Sequence, residues 1–264
     1  MKLLRCGPRH KTHKKFSLEQ LAFIVLIGLG AFVQTIAGFA MGLIVMGGVA
    51  LFGLLDIAAA AAVVSMISLI NVSVALRRTY RFIDRTFMIP IALGMLPLIV
   101  VGVFLLDRWS AEDYELLRMV LGVVIVGAGV LLMLKPEPYS KPSAPILSWL
   151  VGFSAGLMGG LYGASGAPIA YFLYRQPILI QTVRATMLAT FAVSTLFRSG
   201  YVAWHGHVTT EVIWLTVMSI PMVIGATLVG NQLLPSVPDL LVRRVAFVLL
   251  IMLGLSLIMT GLRQ

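Results

Sequence analysis

The residues of this chain that could do chemistry are few and stand out against an apolar background. Arg184 and Arg198 lie within one long apolar run; a helix would set them about 40° apart around its axis and about 21 Å apart along it. Each reads either as snorkelling to the interface, one near each mouth, or as attracting or gating an anion. No Asp or Glu falls inside an apolar run, which leaves no acidic proton relay and no carboxylate cation site. Hydroxyls and amides form two stripes, Ser65, Ser68 and Asn71 at i, i+3, i+6 and Thr186, Thr190 and Ser194 at i, i+4, i+8, each on roughly one helix face. Such groups either hydrogen-bond between helices or face a cavity. Gly163-Ala-Ser165-Gly166 has the spacing of an intramembrane serine nucleophile, with His205 and His207 one helix later as candidate bases. Both histidines fall in a loop beside the interface, so the serine-hydrolase reading is the weaker one. Cys6 is the single cysteine, which excludes an internal disulfide and a Cys-based metal cage. No cofactor is implied.

Two glycine-rich stretches must position these groups: Gln34-Thr35-Ile-Ala-Gly38-Phe-Ala-Met-Gly42, and Gly159-Gly160-Leu-Tyr-Gly163-Ala-Ser165-Gly166-Ala-Pro168. Six glycines lie between positions 152 and 166, and Pro168 then removes a backbone donor and disfavours helix at Ala167. The expectation is a backbone that is not a continuous helix there. Unpaired N–H and C=O groups cost several kcal/mol each in lipid, so a break survives only where protein or a polar cavity satisfies it. A half-helix beginning near Ala167 would turn its N–H groups and a partial positive charge toward an anion. The other reading of Gly152, Gly156 and Gly160 is close helix packing through small-xxx-small spacing. The candidate substrate-binding set is Gln34, Thr35, Gly38, Ser65, Asn71, Gly160, Gly163, Ser165, Gly166, Pro168, Arg184, Thr186, Thr190 and Arg198, with a small anion as the ligand.

Composition says where these residues must sit. Of 264 residues 59% are apolar and 11% charged, with a mean hydropathy of +1.00, whereas a soluble domain carries about 25% charged residues. The protein must use lipid as its main solvent, as an all-α polytopic membrane protein. Its net charge of +10 comes from basic residues in the gaps between apolar runs, which are topology signals rather than a nucleic-acid footprint. Full spans are expected at 57–76, 87–106, 183–204 and 212–234, with 116–134 and 245–262 slightly shorter. The segments 18–32, 39–55 and 146–162 read as short, and 167–174 as far too short to cross. The basic start of the chain looks like that of a signal peptide, but no convincing cleavage site follows, so a retained membrane segment is expected.

Sliding the chain on itself by about 125 residues sets Gly38 on Gly163 and Ser65 on Thr190, an internal repeat. The organisation is then a basic polar tail over 1–17, a first repeat over 18–134, a linker over 135–145 and a second repeat over 146–262. Each repeat has a broken or re-entrant pair of short helices followed by three full spans. Broken helices in matching positions point to a secondary-transporter site. If the repeats are inverted, the loops near 77–85, 135–141, 175–184 and 243–244 share one side, giving 10 Lys/Arg there against 4 opposite, with the basic tail on the poorer side. If they are parallel, the tail joins the richer side and the count is 14 against 6. The match of basic loops in one half to poorly charged loops in the other favours inversion. Trp109, Trp149, Trp204 and Trp214 all fall at segment ends, as an aromatic belt requires.

The stretch from Gln34 to Gly42, the loop Arg77-Arg-Thr-Tyr-Arg81-Phe-Ile-Asp84 entering Pro90, and the run from Gly156 to Pro168 together resemble the TauE/SafE sulfite-exporter family over about residues 20–262. The resemblance implies a bacterial inner-membrane permease, in a family with members linked to sulfite, sulfonates and sulfoacetate. It supplies no catalytic set. The second-half run and Pro168 match the family's pattern, and the first half departs from it in having fewer glycines and no proline in its break. The expected function is permeation of a small anion, a sulfur oxyanion or sulfonate, by alternating access at the breaks. A carboxylate or another small solute is the alternative on the same scaffold.

Overall fold

The computed structural model describes residues 18–77, 79–112, 114–133, 139–206, 208–233, 248, 251–256 and 259. Its helices are α1 (Leu18–Ala37), α2 (Met41–Phe52), α3 (Ile57–Leu76), α4 (Arg85–Glu112), α5 (Tyr114–Met133), α6 (Pro145–Tyr162), α7 (Gly166–Tyr174), α8 (Ile180–Trp204) and α9 (Thr210–Leu233). Among the described residues six helices are long and apolar enough to cross a membrane: α1, α3, α4, α6, α8 and α9. The chain is a multi-pass membrane protein. Four of these are the spans expected from composition, and α5 forms a helix of 20 residues where another was expected. Most of 245–262 lies outside the described residues.

Two expectations are corrected. The segment starting at Leu18 runs 20 residues to Ala37, and α6 runs 18, so the first arm of each pair is not short. The glycine-rich run is not one continuous helix, as expected, but its break is confined to 163–165: the glycines at 152, 156, 159 and 160 stay within α6, and Ala167, expected to disfavour helix, is helical. A helix tolerates glycine at about 1 kcal/mol each, and Pro168 lies in the first turn of α7, where its missing N–H has no intrahelical partner to lose. Only 163–165 interrupts the chain there.

Those glycines pack instead against α4. A Cβ on Gly156 would lie 2.8 Å from Met95 Cα, one on Gly160 2.7 Å from Gly102 Cα, and one on Gly152 3.1 Å from Gly94 Cα. Because Ile91, Met95 and Ile99 face Gly152, Gly156 and Gly160 in turn, α4 and α6 run parallel in backbone contact. Without water between helices, such close packing is what holds them together.

Local chemistry sets the remaining turns. Gly53 ends α2 in the left-handed region at φ 61°, and the Asp56 carboxylate caps α3 by accepting from the Ala58 and Ala59 N–H groups at 2.9 and 3.1 Å. Leu26 lies against Gly48 and Val45 against Gly30, so α2 folds back along α1. The chain leaving α7 returns to the start of α6, where the Ser143 N–H donates to Gln176 Oε1 at 2.9 Å and Gln176 Nε2 donates to Ser143 Oγ at 3.0 Å. The hairpins open toward opposite ends. Ala50, on α2, accepts at 3.0 Å from Arg118 near the start of α5, at the end where Asp56 meets Ser110. Pro145 lies level with the start of α4, at the Asp84 end.

Candidate functional site

The tips of the two hairpins meet inside the bundle. The break after α1 is 38–40, with Gly38 at φ 82° and Ala40 at φ 85°, a left-handed conformation that alanine rarely adopts and that costs about 1–2 kcal/mol. The break after α6 is 163–165, with Gly163 at φ 65° and its N–H donating to Gly159 O at 2.9 Å. A Cβ on Gly42 would sit 2.5 Å from Gly163 O, and one on Gly166 2.9 Å from Phe39 Cβ. Each break therefore seats the other. The Tyr174 hydroxyl donates to Ala37 O at 3.3 Å, satisfying a carbonyl at the end of α1.

Between the tips lies a cavity of about 20 Å³, room for about one water. Its walls are Gln34, Ala40, Gly42, Leu43, Ser68, Gly163, Ala164, Ser165, Gly166, Phe191 and Thr195. The first turns of α2 and α7 both begin on this wall, and neither Ala40 nor Ser165 caps its helix with a side chain. Two sets of helix N–H donors converge there, each with a partial positive charge. Gln34 is buried, 4% exposed, and its Nε2 has no hydrogen-bond partner among the described residues. The wall thus offers donors and no carboxylate, a lining suited to an anion.

The other candidate residues have structural partners. Thr35 Oγ1 donates to Ala31 O at 2.8 Å and Thr227 Oγ1 to Val223 O at 2.7 Å; both accept from Asn71 Nδ2, at 3.2 and 2.7 Å. Thr186 Oγ1 accepts from the Asp84 N–H at 2.9 Å, and Thr190 Oγ1 donates to Thr186 O at 2.7 Å. Gly160 lies in the α4 seam, and Pro168 lies in the first turn of α7 beyond the cavity wall. Arg184 is half-buried beside Gly38, its Cγ 3.8 Å from where a Cβ would stand. Of the set, Gln34, Gly163, Ser165 and Gly166 line the cavity together.

Arg198 departs most from the picture of a residue near a mouth. It is 2% exposed, and it donates through Nε to Gly160 O at 3.1 Å, and through Nη1 to Ala61 O at 2.7 Å and to Ser65 Oγ. It also lines a larger cavity of about 230 Å³ toward the Asp56 end, with Asp56, Asp107 and Thr209. Asp107 lies just past the apolar run that ends at Leu106, and because α4 continues beyond that run it also lines this vestibule. Its position one residue after the run keeps it out of the candidate set, and Ala40, Gly42 and Thr195, which line the break cavity, are uncharged residues that composition does not mark.

Among the described residues Ser165 has no base at hand. It lies beside Ser194, both near Gly159, whereas His205 is eleven residues further along α8, about 16 Å. His205 is exposed, with Nδ1 against Tyr201 O at 2.9 Å, and His207 lies outside the described residues.

The model of the sulfite exporter TauE/SafE family matches residues 22–257. The chain belongs to this family. It is 36% identical over 245 residues, covering 93% of this chain and 96% of the relative, to a Cupriavidus necator protein named "Probable sulfite/organosulfonate exporter TauE". No solved structure matches the chain. Members of the family are exporters, so the protein is a transporter and not an enzyme.

Proposed function

We propose that this protein is an inner-membrane secondary transporter that moves a small sulfur oxyanion or organosulfonate through the cavity between the two helix breaks. The observation that carries the reading is the convergence of the α2 and α7 N-termini on one cavity, with the unpartnered Gln34 Nε2 in its wall. Gln34, Gly163, Ser165 and Gly166 line the substrate site, and Phe191 and Thr195 close its α8 side. The name of the Cupriavidus necator relative supports the sulfur-containing anion.

The organisation we infer is two inverted repeats, 18–134 and 146–262, joined by the linker 135–145. Its support is that α3 and α8 run antiparallel: Thr186 near the start of α8 meets Asp84 beyond the end of α3, and Arg198 near the end of α8 meets Ala61 near the start of α3. At about 20 Å³ the cavity is too small for a sulfonate, so the hairpins must part, alternately toward each face. Uptake of labelled sulfite, organosulfonates and carboxylates into proteoliposomes tests the assignment. Saturable movement of sulfite or a sulfonate is the expected result; selective movement of carboxylates, with sulfonates inert as competitors, would replace the substrate class.

A further inference from the structure

The two cavities follow one another along the same helix faces. On α8, Phe191 and Thr195 line the cavity between the breaks, and Arg198 and Val202 line the vestibule, a single face at i, i+4, i+7, i+11. On α3, Ser68 lines the first cavity and Ala58, Ala59 and Ala62 the second. Between them stands Ser65, whose hydroxyl donates to Ala61 O at 2.8 Å, and Arg198 donates to both the Ser65 hydroxyl and the Ala61 carbonyl there. The guanidinium therefore fills the gap between the cavities.

Its bonds tie α8 to two other elements at that level. Gly160 belongs to the last turn of α6, whose carbonyls lack helical partners, and a cation is favoured at a helix C-terminus. Three of the five guanidinium N–H groups are engaged with protein acceptors, all at buried positions. Drawing Nε and Nη1 onto a substrate anion would take a donor from the Gly160 carbonyl at the end of α6 and from the Ala61 and Ser65 oxygens. Arg198 lines the vestibule and not the cavity between the breaks, so its bonds place it as a barrier between the two rather than in the wall of the first.

We propose that Arg198 is a gate residue for transport: bonded to Gly160, Ala61 and Ser65 it closes the break cavity to the vestibule, and its release opens the path to the Asp56 face. The proposal rests on the reading that substrate passes between the breaks. It deepens that reading by taking Arg198 out of the substrate's ligands and making it the barrier.

The test uses the full chain with Cys6→Ala and a single new cysteine, Thr195→Cys in the break cavity or Val202→Cys in the vestibule. An impermeant thiol reagent is applied to the Asp56 face without substrate, so the readout does not depend on what the cavity binds. With Arg198 in place, Cys at 202 should react readily and Cys at 195 slowly. Arg198→Ala should speed reaction at 195 at least tenfold, leave 202 unchanged, and be partly reversed by Arg198→Lys. Should Arg198→Ala fail to fold, Ser65→Ala keeps the guanidinium, removes one acceptor and should speed reaction at 195 severalfold. Rates at 195 within twofold of the parent in every variant that folds would overturn the gate. Failure of an organosulfonate to protect position 195 would instead count against the substrate site and leave the gate standing.

Discussion

Gln34 and Asn71 are both buried amides, each with one polar atom unpartnered among the described residues, but only Gln34 lines the break cavity. Asn71 donates to two threonine hydroxyls whose own protons are committed to backbone carbonyls, so its amide orientation is fixed by the network. Gln34 lines the break cavity with a donor that no described residue accepts. Hydrogen bonds to charged groups contribute about 1.5–3 kcal/mol, and each 1.4 kcal/mol is tenfold. Gln34→Ala should therefore raise the half-saturating concentration for sulfite or a sulfonate about tenfold or more in proteoliposome uptake, and Gln34→Glu should abolish uptake by repelling the anion. A change under twofold in Gln34→Ala would remove the amide from the site. At this scale residue types were readable and side-chain directions were not. Arg198 was visible as a charge in an apolar run, but a long side chain can point to either end of its helix. Only the α6 and α3 carbonyls show that it turns inward.

Elements were more legible. The boundaries of α3 and the return of the chain near 163 follow from hydropathy and from glycine, because Gly163 takes a positive φ. What the glycine-rich run did not disclose is that its members have two different tasks. Gly163 turns the chain, while Gly152, Gly156 and Gly160 admit the α4 backbone, and single-residue composition looks the same in both cases. The consequence is testable by substitution. Gly156→Leu places atoms against Met95 backbone, which cannot yield as a flexible side chain would, so loss of the folded species in detergent size-exclusion chromatography is expected. Gly225 in α9 has nothing within 4 Å of its added Cβ, and Gly225→Ala should fold normally, gaining up to about 1 kcal/mol of helix preference. Equal tolerance of both changes would contradict a packed α4–α6 seam.

For the whole molecule, the repeat was suggested by aligning the halves, and its sense was left to loop charges that pointed both ways once the basic tail was counted. Antiparallel α3 and α8 now weigh for inversion, because their ends are tied by particular bonds rather than by charge statistics. Single cysteines at Arg81 and His205, in a Cys6-free chain, should then be labelled from opposite faces; parallel repeats would put both on one face. On the proposed inverted organisation, hairpins from the two sides would meet tip to tip, which accounts for a donor-lined cavity deep in an apolar chain. The central claim is that this cavity is where the transported anion rests. Its most direct test is the rate at which Ser165→Cys, in a Cys6→Ala chain, reacts with a thiol reagent with and without an organosulfonate, which unlike sulfite leaves such reagents intact. At least fivefold protection at saturating sulfonate is expected, with no protection of a cysteine at Val202. An unprotected Cys at 165 in protein that still transports the sulfonate would contradict it.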